Sequence, residues 1–134
     1  MTTHATTIVF QDDAPLINLN RQCDGYLSDH GRELAEFLSG YQVGNGVPVG
    51  LAEDAKYAAG MPDLAAQLVM HFKQQSRHGG FYLEPLEDLA EAEWLYEVRL
   101  DTTNVLSVNV LHWGSLVFHG SPEKMERFAG LAYQ

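Results

Sequence analysis

Between residues 20 and 32 the chain reads Asn-Arg-Gln-Cys-Asp-Gly-Tyr-Leu-Ser-Asp-His-Gly-Arg. Guanidinium, carboxylate, imidazole, thiol and phenol groups crowd into this one stretch. Arg21 and Arg32 present forked donors that suit a phosphate or another planar anion. Asp24 and Asn20 can hold hydroxyls or amides, and Tyr26 can stack on a ring. His30 completes the cluster, while Gly25 and Gly31 permit close backbone approach. Further on, Phe81 and Tyr82 directly follow Gly79-Gly80 and offer a second aromatic platform. Arg21, Asp24, Tyr26, His30, Arg32, Phe81 and Tyr82 therefore form the candidate ligand-binding set. The chemistry they suggest is capture of a small anionic, nucleotide-type molecule. The plainer alternative is that Arg21 pairs with Asp24 while His30 or Tyr26 seals the loop.

Other chemistries are poorly supplied. Cys23 is the sole cysteine, so neither an internal disulfide nor a zinc site with paired thiolates can form within one chain. As a nucleophile it needs a base, and His30 is the only imidazole near it in sequence. A partly buried, inert thiol is the ordinary reading. His71 and His78 are spaced to share one helix face, but roughly 10 Å apart, too far to hold one metal. His112 and His119 flank a turn and can approach across a hairpin, but no third ligand accompanies them. Asp12-Asp13 and the acidic run Glu84–Glu93 sit in expected turns or on a solvated face, with nothing to place two carboxylates across a cleft. Nucleotide-cradle, serine-hydrolase and zinc-protease motifs are absent. No catalytic residue, metal or cofactor is assigned, and a non-enzymatic role is expected.

These residues must be held by strands and helices. Thr7–Phe10 and Leu16–Arg21 read as a hairpin around Asp12-Asp13-Ala14-Pro15, with Ile17 and Leu19 inward. Gly31–Tyr41 reads as a helix with Leu34, Phe37, Leu38 and Tyr41 on one face, capped by Ser28 or Asp29 and ended by Gly40. Gly44–Gly50 reads as a loop and Leu51–Ala59 as a short helix. Met61 opens the clearest helix, with Pro62 and Asp63 in its first turn and Gly79-Gly80 as its stop. Phe81–Leu83, Trp94–Asp101, Val105–His112 and Leu116–His119 read as strands. Ser121-Pro122 then starts a closing helix whose apolar side carries Met125, Phe128, Ala129 and Ala132. Strands grouped at both ends predict an α+β fold of two layers: an antiparallel sheet of about five or six strands with helices on one face. One domain, residues 1–134, is expected.

The formal charge is −10, from 18 acidic and 8 basic residues. That field disfavours direct nucleic-acid or anionic-membrane binding and attracts a basic protein surface. No apolar run is long enough for a membrane span, and Met1–Thr7 lacks a secretory pattern, so a cytoplasmic location is expected. Trp94 and Trp113, if exposed, would suit a homo-oligomer interface.

Several blocks recur together: Arg21-Gln22-Cys23-Asp24-Gly25-Tyr26, Gly31-Arg32-Glu33-Leu34-Ala35-Glu36-Phe37-Leu38, Asn45-Gly46, Gly60-Met61-Pro62-Asp63-Leu64-Ala65-Ala66-Gln67-Leu68, Gly79-Gly80-Phe81-Tyr82-Leu83 and Trp94-Leu95-Tyr96-Glu97-Val98. This pattern, across most of residues 8–100, resembles small proteins encoded by bacteriophages and prophages. Cys23 departs from it, standing where a large aromatic is expected. The resemblance implies a counter-defence protein of small, acidic, binding type. Two functions follow as expectations: sequestration of a small anionic ligand, or docking on a basic host protein, with the acidic surface imitating nucleic acid and Glu84–Glu93 as a docking face.

Overall fold

The computed structural model describes residues 3–89 and 92–132. Met1, Thr2, Ala90 and Glu91, named above, lie outside them, as does the side chain of Ala132. Strand β1 (Ala5–Gln11) and strand β2 (Ala14–Arg21) form the expected hairpin. A π-helical turn, Leu27–Gly31, runs into helix α1 (Arg32–Leu38). Two short strands, β3 (Gln42–Gly44) and β4 (Tyr57–Ala59), pair in parallel. Helix α2 (Met61–Lys73), strand β5 (Phe81–Leu83), strand β6 (Trp94–Leu100), strand β7 (Leu106–His112), strand β8 (Ser115–Gly120) and helix α3 (Pro122–Ala132) complete the chain.

The main sheet has the order β5-β2-β1-β6-β7-β8. The fold is α+β. The six-stranded sheet is mostly antiparallel, as expected; β1 and β6, at its centre, run parallel, while every other neighbour is antiparallel. Alternation along the strands turns Ala5, Val9, Leu19, Trp94, Tyr96, Val98, Val108 and Val110 to one face. There they join Leu34 and Leu38 of α1, Leu64, Leu68 and Phe72 of α2, and Met125 of α3 in one buried cluster. Burying such side chains stabilises the fold by roughly 1.5–3 kcal/mol each.

The opposite face is partly covered as well. β1 is buried at every position from Ala5 to Phe10. Asn18 Nδ2 donates to the Pro85 and Asp88 carbonyls at 3.1 and 2.9 Å, tying the start of the acidic run across this face. Thr6 Oγ1 bonds Asn20 Oδ1 at 2.7 Å, and the Arg99 guanidinium lies 3.7 Å over the Phe10 ring.

Three local expectations are corrected. Residues 51–59 form no helix, because Tyr57–Ala59 pairs with β3 and tertiary pairing overrides the helical propensity of an alanine-rich segment. The helix expected over 31–41 is α1 alone, entered through the π-helical turn and ended before Gly40 at φ +84°. No side chain caps α1. α2 stops at Lys73, which leaves His78 in a turn. Among the described residues no helix is long and apolar enough to cross a membrane.

Candidate functional site

The loop after β2 is fastened to the sheet through its backbone. Asp24 adopts φ +62°, a left-handed conformation that aspartate tolerates better than most residues. Gly25 N donates to the Thr3 carbonyl at 2.8 Å, and the Gly25 carbonyl accepts from Tyr96 Oη at 2.8 Å. A Cβ on Gly25 would sit 2.8 Å from both Ala5 Cβ and the His4 carbonyl carbon. Only glycine fits. The Asp24 carbonyl then accepts from His30 N, and the Tyr26 carbonyl accepts from Asp29 N and Gly31 N. Asp24-Gly25-Tyr26 is therefore a structural clamp before it is anything else.

His30 lies under this clamp and is 1% exposed. Its ring packs 5.0 Å from Phe72 and 4.9 Å from Tyr96. Nε2 is 2.7 Å from Thr7 Oγ1, and Nδ1 is 3.3 Å from Arg21 Nη1. A guanidinium can only donate, so Nδ1 accepts and Nε2 carries the proton toward Thr7. Burial, aided by the Arg21 charge, pushes the imidazole down to about 3, so the ring is neutral.

Arg21 stands between this buried histidine and the surface, with 13% of its side chain exposed. Nε donates to the Cys23 carbonyl at 2.8 Å, Nη1 also reaches the Glu33 carboxylate, and Cζ lies 5.2 Å from the Phe81 ring centre. Beside it opens a recess of about 470 Å³ between the β2–α1 and α2–β5 connections, lined by Arg21, Gln22, Cys23, Asp24, Gln75, Ser76, His78, Gly79, Gly80 and Phe81. The recess thus gathers Arg21, Asp24 and Phe81 of the candidate set. The other four lie elsewhere. His30 is beneath its floor. Tyr26 is exposed outside it. Arg32 pairs with Glu36 at 3.1 Å on the exposed side of α1. Strand alternation turns Tyr82 to the opposite face, where it stacks on His4. Arg21 pairs with Glu33, not with Asp24.

A larger groove, of about 570 Å³, lies on the solvent side of α1 and α2. Glu33, Glu36 and Phe37 come from α1, and Gln67, Met70 and His71 from α2. Tyr41 and the turn Glu53-Asp54-Ala55-Lys56 close it, and Gln75 is shared with the recess. Phe37 stacks on His71 with ring centres 4.5 Å apart and lies 5.1 Å from Tyr41. Tyr41 Oη bonds Gln67 Oε1. Burial and nearby Asp63 raise the Tyr41 phenol; burial outweighs Glu33 and lowers the His71 imidazole. Lys56 Nζ is spent on the Glu36 and Ser39 carbonyls, at 3.0 and 2.7 Å. Four carboxylates face one lysine here, and neither Glu53 nor Asp54 has an ion-pair partner among the described residues. Sequence reasoning places Phe37 and Tyr41 on a core-facing stripe; both are half-buried instead. The missed signal is Glu33 and Phe37, one helical turn apart on the outer side of α1, with Tyr41 following just beyond the helix end.

Other expectations resolve as follows. Cys23 is exposed, which corrects its reading as partly buried. No hydrogen bond among the described residues joins its thiol to His30. β7 and β8 pair Asn109 with His119 and His112 with Ser115, so the two histidines do not meet across the hairpin. His112 stacks on Trp94 at 4.1 Å and bonds Glu93 at 3.1 Å, so the end of the acidic run is also structural. Trp94 is buried and Trp113 is 66% exposed. Among the described residues no group of three or more potential ligands could hold a metal ion. Comparison with protein-family profiles, curated proteins and solved structures gave no match to the chain.

Proposed function

We propose that the protein is a non-enzymatic binder that captures an arginine- or lysine-bearing segment of a basic partner protein in the groove between α1 and α2. The observation that carries this reading is the groove's lining: Glu33, Glu36, Glu53 and Asp54 surround the aromatic surface of Phe37 and Tyr41. A long cationic side chain needs both halves of that arrangement. Its methylenes pack on apolar surface, its charge meets carboxylates, and ring faces add cation–π attraction of about 0.5–2 kcal/mol. Glu53 and Asp54 have no competing cation to release first.

The net charge of −10 supports the same reading, since it steers a cationic partner inward and turns nucleic acid away. Exposed Val47, Val49 and Leu51 precede the Glu53–Lys56 turn, and Met70 lies in the groove wall, so apolar contact area adjoins the carboxylates. The resemblance to phage-encoded proteins suggests a host protein as the partner, with the carboxylates taking the place of nucleic-acid phosphates.

Calorimetric titration with a short arginine-rich peptide, and with its acidic counterpart, tests this. Binding of the basic peptide alone, weakened at least tenfold by the double substitution Glu53→Gln with Asp54→Asn, is the expected result. Equal binding by the substituted protein would end the proposal.

A further inference from the structure

We propose that the recess beside Arg21 is a second, separate binding site, for a small anion ending in phosphate or carboxylate, and that Glu33 restrains it. The Arg21 guanidinium is held in place before any ligand arrives. Nε is fixed by the Cys23 carbonyl, Nη1 by His30 Nδ1, and the plane rests near the Phe81 ring. Nη2 makes no hydrogen bond among the described residues, and the Arg21 side chain is 13% exposed. A fixed cation with a spare donor edge is preorganised for an oxyanion. The recess of about 470 Å³ leaves ample room, and His78 and Ser76 add side-chain donors to its wall.

Two carboxylates oppose an anion here. Asp24 lines the recess, and Glu33 occupies Nη1 from the groove side. While Glu33 holds Nη1, an anion meets Nη2 and an opposing negative charge; making Glu33 neutral removes that charge, and drawing it away also releases the Nη1 hydrogen it accepts. Glu33→Gln and Asp24→Asn each remove an opposing charge. Neither disturbs the clamp, which uses only the backbone of Asp24.

The test is titration of the intact protein with inorganic phosphate and, separately, acetate, followed by amide chemical shifts. Millimolar binding centred on Arg21, Ser76 and Gly80 is expected, tightened roughly threefold to tenfold by Glu33→Gln. Arg21→Gln should abolish it. If that variant does not fold, His78→Asp on the exposed turn serves instead, and should weaken binding several-fold. Response to phosphate alone assigns a phosphate ligand, and response to acetate as well assigns any oxyanion; both support the site. No response in wild type and Glu33→Gln, or no effect of His78→Asp, overturns it. Neither outcome depends on the groove, because no basic peptide is present.

Discussion

The Arg21 guanidinium bonds the Glu33 carboxylate, and the two residues line different cavities: Arg21 the recess, Glu33 the groove. One ion pair is therefore the partition between two concavities of opposite preference. A cation entering the groove competes with Arg21 for Glu33. If both sites bind as proposed, each ligand strengthens the other, by the same factor in both directions. Phosphate titrations with and without saturating basic peptide should differ several-fold in affinity. Glu33→Gln should erase that difference, and a difference that persists in the variant would show that the coupling does not run through this pair.

The clamp beneath the recess sets local stability. Gly25→Ala puts a Cβ against Ala5 and the His4 backbone and should destabilise the fold by about 1–3 kcal/mol. Denaturant unfolding measures this as a lower midpoint with an unchanged slope. A midpoint within error of wild type would mean that the loop moves off β1 without penalty.

Tyr96→Phe leaves the Gly25 carbonyl without its hydroxyl partner while the ring still packs against His30 and Trp94. A loss of about 1–3 kcal/mol is expected from the stranded acceptor. It should add less than fully to Gly25→Ala, because both substitutions loosen one contact. Strict additivity in the double variant would separate them.

Acid sensitivity follows from His30. An unfolded histidine titrates near 6.5, whereas burial beside Arg21 pushes this one down to about 3. Between those values the unfolded chain binds the extra proton, so stability is present above pH 6.5 and is lost as pH falls toward 3. A shift of that size corresponds to an expected loss on the order of 5 kcal/mol across the window. Nitrogen NMR of the folded protein should show a neutral imidazole protonated at Nε2 at neutral pH and well below 6.5. Titration near the unfolded value would contradict the buried geometry.

Much of the fold is legible in the chain, for identifiable reasons. Trp94–Leu100 alternates apolar and polar residues, and Met61–Phe72 repeats at helical spacing, so each reports its own structure. The parallel contact of β1 with β6 is not legible, because it depends on where a strand lands after a long excursion, and no local pattern encodes that. Tyr57–Ala59 was masked by alanine, whose helical preference is weaker than the pairing with β3. At the recess, Arg21 and Phe81 are readable as donor and platform. Burial of His30 is not, because a histidine amid polar neighbours resembles a surface residue until Phe72 and Tyr96 close over it. Tyr82 was misleading for a simple reason: adjacent strand residues point to opposite faces. Glu33 and Glu53 are far apart in the chain, and only the packing of α1 against the 53–56 turn puts them in one groove.

The groove's role is reached most directly by an NMR titration of the intact protein with an arginine-containing peptide. Shifts concentrated at Phe37, Tyr41, Glu53, Asp54 and His71, and abolished by the Glu53→Gln, Asp54→Asn pair, are the expected result. Shifts centred elsewhere on the surface, or the same response in the substituted protein, would contradict capture of a cationic side chain between α1 and α2.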